Sequence, residues 1–273
     1  MLVSEAVQTY LTNIRITKRP RTLESAAQVL SEFRSHVGEM PLEDLKREHL
    51  LSYLAALKDK RQTDRTCANK YIRVRALLRY HNINLPNDRP RFTPALPEVY
   101  TDSELATLFS ACDIRQRALY KVLLCCGLRK EEVRWLRWTD LEDKMLHIQP
   151  HPPQFNPKNH ESRRIPVPPE VLSLLRQMPR RPGVLIFPTE SGRPNKHFLL
   201  QLKRLVTRAG LDEDRFWLHK FRATYATNLL RRGVDLRTVQ MLLGHRDTNS
   251  TMRYLRPLEG DALYARIAAA FAS

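Results

Sequence analysis

Between Leu85 and Pro97 the chain reads LPNDRPRFTPALP, and this stretch divides everything on either side of it. Its four prolines lack the backbone N–H that helices and central strands need, and each pushes the residue before it out of the helical region. No regular element can cross it. A chain of 273 residues is long enough to bury two hydrophobic cores. The break therefore predicts two domains, residues 1–85 and 101–273, joined by a linker over 86–100.

Ahead of the break the apolar residues recur with helical period and almost no strand alternation. Val3, Val7, Tyr10, Leu11 and Ile14 form one stripe, and Leu23, Ala27, Leu30, Phe33 and Val37 form a second that ends at Gly38. Pro41 is expected to open a third helix with Leu42, Leu45, Tyr53, Leu54 and Leu57 inward. Thr63 or Asp64 caps a fourth, which runs through Tyr71, Val74 and Leu78. That last helix also carries Arg65, Lys70, Arg73, Arg75 and Arg79, more cations than a neutral solvated face needs, and these are expected to contact a DNA backbone.

Beyond the break, Thr101 and Glu104 form a capping box that starts the second domain. A helix is expected to run to Gly127, and another from about Lys130 to Trp138. The period then changes: Met145–Ile148 and Arg164–Val167 read as two short strands around the polar, proline-rich PHPPQFNPKNHES, an antiparallel hairpin with an extended tip. Helices return at about 169–178 and 195–209. The fold class is mainly α with one small antiparallel sheet.

Charge limits the partners. Lys and Arg number 46 against 29 Asp and Glu, a net charge of +17, while the 42% hydrophobic content is that of an ordinary folded protein. Cations spread over folded domains point to a polyanion, since they displace the counterions condensed on nucleic acid. No apolar run approaches the ~20 residues of a membrane span, and the N-terminus has no secretory pattern. Cys67, Cys112, Cys125 and Cys126 have no metal-ligand spacing and are expected to be reduced. A cytoplasmic location is expected.

The densest chemistry lies between His219 and Tyr254, on three expected helices. Tyr254 is a candidate nucleophile, flanked by Arg253, Arg256, His245 and Arg246, which would stabilise a phenolate. His219 and Arg222 stand three apart on one side of a helix, and an arginine fork suits the non-bridging oxygens of a phosphate. Gly244 turns the chain so that His245 leaves the helix end. Each feature has an ordinary reading too: a core tyrosine, a surface His-x-x-Arg, a histidine complementing a helix dipole.

Taken together, GLRKEEV (127–133), HKFR (219–222), LGH (243–245) and Tyr254 resemble, in order and spacing, the motifs of the tyrosine recombinases, the phage-integrase and Xer group. The resemblance implies a four-helix core-binding (SAM-like) domain, a linker and a mixed, mostly helical catalytic domain. It implies that Arg129 and Arg222 clamp the scissile phosphate, that His219 and His245 bond to it, and that Glu132 supports them from behind. It places a general-acid lysine on the hairpin, where Lys158 matches and Lys144, Arg163 and Lys196 are the nearby fallbacks. The implied reaction joins Tyr254 to a DNA 3′-phosphate and needs no metal or other cofactor. The implied partners are double-stranded DNA and further copies of the chain in a tetrameric synapse, with Leu263, Ile267 and Phe271 on a docking helix. The plan resembles that of Xer or Cre, and no separate arm-binding module is expected ahead of the first helix. A type IB topoisomerase-like enzyme, or a non-catalytic DNA-binding protein of the same fold, shares many of these features.

Overall fold

The computed structural model describes residues 1–157, 162–245 and 247–255, with Tyr264 and Ala268 beyond them. The chain divides into two units, Met1–Pro94 and Ala95–Ser273. The proline-rich segment is shared between them. On the first unit, the Tyr71 hydroxyl donates to the Pro86 carbonyl at 3.2 Å and accepts the Asp88 N–H at 2.8 Å, while Arg47 donates to Asp88 at 2.9 Å. On the second, Tyr100 is buried in the core and its hydroxyl donates to the Trp217 carbonyl at 2.9 Å.

The first unit contains α1 (Val3–Thr17), α2 (Pro20–Val37), α3 (Arg47–Asp59) and α4 (Asp64–Tyr80). Pro20 occupies the first turn of α2, where a missing N–H is harmless. Thr63 caps α4, accepting the Thr66 N–H at 3.3 Å. The helix expected from Pro41 is instead a single 3₁₀ turn, Leu42–Asp44, followed by α3. Leu42 and Leu45 both reach the core from this bend, and the His49 imidazole accepts the Lys46 N–H at 3.0 Å, so a new helix starts there. Phe33 and Tyr53 meet edge to face in the core, 5.2 Å apart.

The second unit begins with α5 (Asp102–Ser110), α6 (Ile114–Cys126) and α7 (Lys130–Trp135). The single helix expected up to Gly127 is thus two. Asp113 recaps the chain: its carboxylate accepts the Gln116 N–H at 2.7 Å while Gln116 accepts the Asp113 N–H at 3.1 Å. The helix expected to reach Trp138 stops at Trp135, because Leu136 turns extended and its carbonyl accepts the Ile186 N–H. The sheet has three antiparallel strands in the order β1 (Leu141–Glu142), β2 (Met145–Ile148), β3 (Arg163–Pro166). Leu146 faces Ile165 across β2 and β3. Strand β1 escapes sequence reading because two residues carry no period.

Helices α8 (Pro169–Gln177), α9 (Phe198–Arg208), α10 (Leu218–Arg231), α11 (Leu236–Leu243) and α12 (Asn249–Met252) complete the unit. Its main core joins Tyr120 and Leu123 of α6 to Val171 and Leu175 of α8 and Phe221 of α10. A smaller apolar cluster holds Tyr225, Leu230, Val239, Leu243 and Tyr254 together. Among the described residues no helix is long and apolar enough to cross a membrane.

Candidate active site

The site starts at the turn between α6 and α7. Gly127 has φ +62°, and a Cβ there would run into the Tyr225 ring, so only glycine suits the position. The turn makes Arg129 the residue that precedes α7, one helical turn before Glu132. Glu132 accepts the Arg129 backbone N–H at 2.8 Å and its Nη1 at 2.7 Å. The acid is buried, whereas the Arg129 side chain keeps 23% of its surface exposed.

Arg222 comes from α10 and is 1% exposed. Its Nη1 donates to the Gly127 carbonyl at 2.6 Å and its Nη2 to the Leu243 carbonyl. Its Nε is buried with no hydrogen-bond partner among the described residues. The same α10 exposes His219 in its first turn.

Helix α11, capped by Asp235 through the Thr238 N–H at 2.9 Å, aims its C-terminus at these arginines. The carbonyls at a helix end lack intrahelical partners and carry partial negative charge. Here three successive ones are taken by three different guanidinium groups. Leu242 accepts from Arg163 Nε at 2.8 Å, Leu243 from Arg222, and Gly244 from Arg129 Nη2 at 2.9 Å. Gly244, left-handed at φ +61°, then releases His245 from the helix. Gln240 donates to the His245 carbonyl at 3.0 Å, and Nδ1 of His245 lies 2.8 Å from the Thr251 hydroxyl.

Tyr254 follows α12 in a turn, its N–H donating to the Thr251 carbonyl at 3.0 Å. Its side chain is 2% exposed, packed in the smaller cluster beside Leu243.

The electrostatics follow from this packing. Burial alone would raise the Glu132 pKa, but the Arg163 hydrogen bonds and the charges of Arg163, Arg129 and Arg222 outweigh it and hold the carboxyl at about 2. Burial, then repulsion from Arg129, lowers Arg222 to about 9. Burial, then Arg222, Arg129, Arg253 and His219, pushes His245 down to about 3, so the ring is neutral at neutral pH. Three arginines share one carboxylate, which leaves a positive field suited to an anion.

The structure therefore brings Arg129, Glu132, Arg222 and His245 together, with Tyr254 packed beside them and His219 among the groups that lower the His245 pKa. Lys158, Arg246 and Arg256, and the stripe of Leu263, Ile267 and Phe271, lie outside the described residues. Of the fallbacks for the hairpin acid, Lys144 and Lys196 are exposed, whereas Arg163 is bound by Glu132 at 2.7 and 3.0 Å. On α4, Arg65 and Arg79 are exposed and Arg73 is half-buried. Lys70 and Arg75, expected with them on DNA, are committed internally. Lys70 pairs with Glu32 at 2.5 Å, and the buried Arg75 donates to the carbonyls of Leu85 and Pro86. A charged group that faces the fold must find acceptors there, and cation counting along a helix cannot see them. Sequence reading also missed the contacts that Thr251, Gln240 and Arg163 make here. The last had a signal, because Arg163 shares the inward face of β3 with the buried Ile165.

The fold is that of the tyrosine recombinases. Residues 98–260 match the phage integrase family, and the chain belongs to that family, whose members cleave and rejoin DNA. It is 28% identical to a tyrosine recombinase of Thermosipho africanus (strain TCF52B), over 93% of this chain and 94% of that one. It is 29% identical to the tyrosine recombinase XerD of Pseudomonas putida (strain KT2440), over 78% of each chain. Among solved structures, the Tn1549 transposon integrase in complex with transposon right end DNA superposes with a TM-score of 0.79 at 18% identity, covering 98% of this chain and 99% of that one. A lambda integrase dimer bound to a core site gives 0.74 at 15% identity, covering 93% and 95%. At these identities the structural likeness is one of fold.

Proposed function

We propose that the chain is a site-specific DNA recombinase acting through a 3′-phosphotyrosyl intermediate. The observation that carries this reading is the meeting of Arg129, Arg222 and His245 at the end of α11, with Tyr254 stacked on the histidine. A scissile phosphodiester placed there accepts hydrogen bonds from Arg129 and from Arg222, whose Nε is one buried donor still without an acceptor. Both charges stabilise the extra negative charge of the pentacoordinate transition state.

The Tyr254 oxygen attacks phosphorus while its proton passes to His219. A new phosphotyrosyl bond forms, the bond to the 5′ oxygen breaks, and Lys158 on the hairpin protonates that oxygen as it leaves. His245, held neutral, serves as a hydrogen-bond donor in the tautomer whose Nδ1 accepts from the Thr251 hydroxyl 2.8 Å away, which puts the ring proton on Nε2. Glu132 orients Arg129. A 5′-hydroxyl from a partner duplex then reverses the step, so bond energy is conserved without metal or nucleotide. Two exchanging duplexes require four protomers, with the segment around Leu263, Ile267 and Phe271 as the docking element. The exposed cations of α4, Arg65 and Arg79 first, meet the DNA backbone in the cytoplasm.

The test is a duplex nicked beside the cleavage site, which lets the leaving strand diffuse away and traps protein on DNA. The wild-type chain should form a covalent adduct, and Tyr254→Phe should form none while binding the duplex with unchanged affinity. An adduct in Tyr254→Phe would remove Tyr254 as nucleophile, and absence of any adduct from the wild type would remove the reading altogether.

A further inference from the structure

Arg163 touches Glu132 and the end of α11 without being any of the groups assigned to the phosphate. It stands at the first position of β3, and its side chain is only 10% exposed. Nη1 and Nη2 grip the two oxygens of Glu132 at 3.0 and 2.7 Å, a fork on a carboxylate, while Nε donates to the Leu242 carbonyl at 2.8 Å. The same guanidinium lies against Gly244, where a Cβ would stand 3.2 Å from Nη1. One side chain thus ties the sheet to α7 and to the end of α11.

Resting on the function proposed above, we infer that Arg163 is a positioning residue that sets both Arg129 and His245 for the phosphate. The path to Arg129 runs through Glu132. Oε1 takes a bond from Arg163 and a bond from Arg129, so the place of the carboxylate decides the place of the Arg129 fork. The path to His245 runs through the backbone. The Leu242 carbonyl, held by Arg163, is two residues before Gly244, whose own carbonyl is held by Arg129, and His245 follows directly. Lysine cannot replace this, since one ammonium cannot bond two carboxylate oxygens in a plane and a carbonyl to the side. Arg163 is also the strongest of the cations holding Glu132 ionised; Arg129 and Arg222 face the same acid, and Asp140, His147 and His151 line the small cavity beside it.

The experiment measures the rate of covalent adduct formation on the nicked duplex, duplex affinity and thermal unfolding for the wild type, Arg163→Lys, Arg163→Met, Glu132→Gln and Glu132→Gln with Arg163→Met. Arg163→Met should bind DNA as the wild type does but form adduct roughly 100-fold more slowly, the scale of loss expected when reacting groups are misplaced by about an ångström. Arg163→Lys should fall between the two. Because both side chains act through one link, the double variant should be no slower than the slower single one. A purely structural role would instead multiply the two losses; a lower unfolding temperature follows on either reading, because Glu132 loses its buried partner. Arg163→Met within about threefold of the wild type, or multiplying losses, overturns the inference. If Arg163→Met does not fold, the rate of Arg163→Lys decides on the same terms. Adduct from the wild type separates this outcome from failure of the functional reading.

Discussion

The imidazole of His245 lies nearly parallel to the phenol ring of Tyr254, with ring centroids 6.5 Å apart and planes at 16°. Neither side chain is placed by its neighbours in sequence alone. The histidine is held through Thr251 and Gln240, and the tyrosine is buried beside Leu243, so the α11 end positions both. The end of α11 is in turn fixed by Arg129, Arg163 and Arg222.

Stability should fall on the acid side earlier than carboxylates alone would make it. His245 titrates near 6.5 unfolded and near 3 folded, so between those values the unfolded chain binds the extra proton and folding weakens as pH drops. Glu132, held at about 2 against 4.5, adds to the loss only below 4.5. Unfolding temperatures measured between pH 7 and pH 4.5 should decline in the wild type and decline less in His245→Asn. Equal slopes would mean that His245 is not buried among these cations.

Lys158→Ala should slow adduct formation on an ordinary nicked duplex and recover on one carrying a 5′-bridging phosphorothiolate, whose sulfur leaves without a proton. Lys144→Ala and Lys196→Ala, altering exposed side chains, should need no rescue. If the phosphorothiolate leaves Lys158→Ala slow, the acid is another group.

Arg65→Ala and Arg79→Ala should each weaken binding to any duplex and reduce the slope of log affinity against log salt by about 1. Arg75→Met should instead lower stability by roughly 1–3 kcal/mol, because the Leu85 and Pro86 carbonyls lose a buried donor. Salt titrations and thermal melts of the three variants separate the two roles, and a salt slope changed by Arg75→Met alone would reverse the assignment.

Gly127→Ala should be far worse than Gly210→Ala. Both glycines are left-handed, at φ +62° and +69°, and either alanine pays about 1–2 kcal/mol for that conformation. At Gly210 nothing lies within 4 Å of the new methyl, whereas at Gly127 it meets the Tyr225 ring and displaces the carbonyl that holds Arg222. Melting and adduct assays should both register the Gly127 change, and only melting the other.

Motifs whose spacing is local were readable from the chain alone. Thr101 with Glu104, Gly127 ahead of Arg129, Glu132 one turn on, and His219 with Arg222 all follow from helix geometry and capping, which act over three or four residues. Elements of two or three residues, such as β1 and the 3₁₀ turn at Leu42, carry too few side chains for a period and were invisible or misread.

The sequence by itself determined a mainly helical chain with a proline-rich break, a positive charge suited to a polyanion, and the residue types that a phosphate would meet. Only the tertiary structure decided which of these cations are bound within the site and which keep an exposed edge. Arg129, Arg163 and Arg222 are the same residue type, spread over 94 positions of the chain. They differ because a buried guanidinium must satisfy its donors from whatever carbonyls and carboxylates the fold brings near: Arg163 finds both oxygens of Glu132, Arg222 finds Gly127 and Leu243, and Arg129 keeps an exposed edge. Local spacing cannot encode that division, because the acceptors arrive from elements distant in sequence.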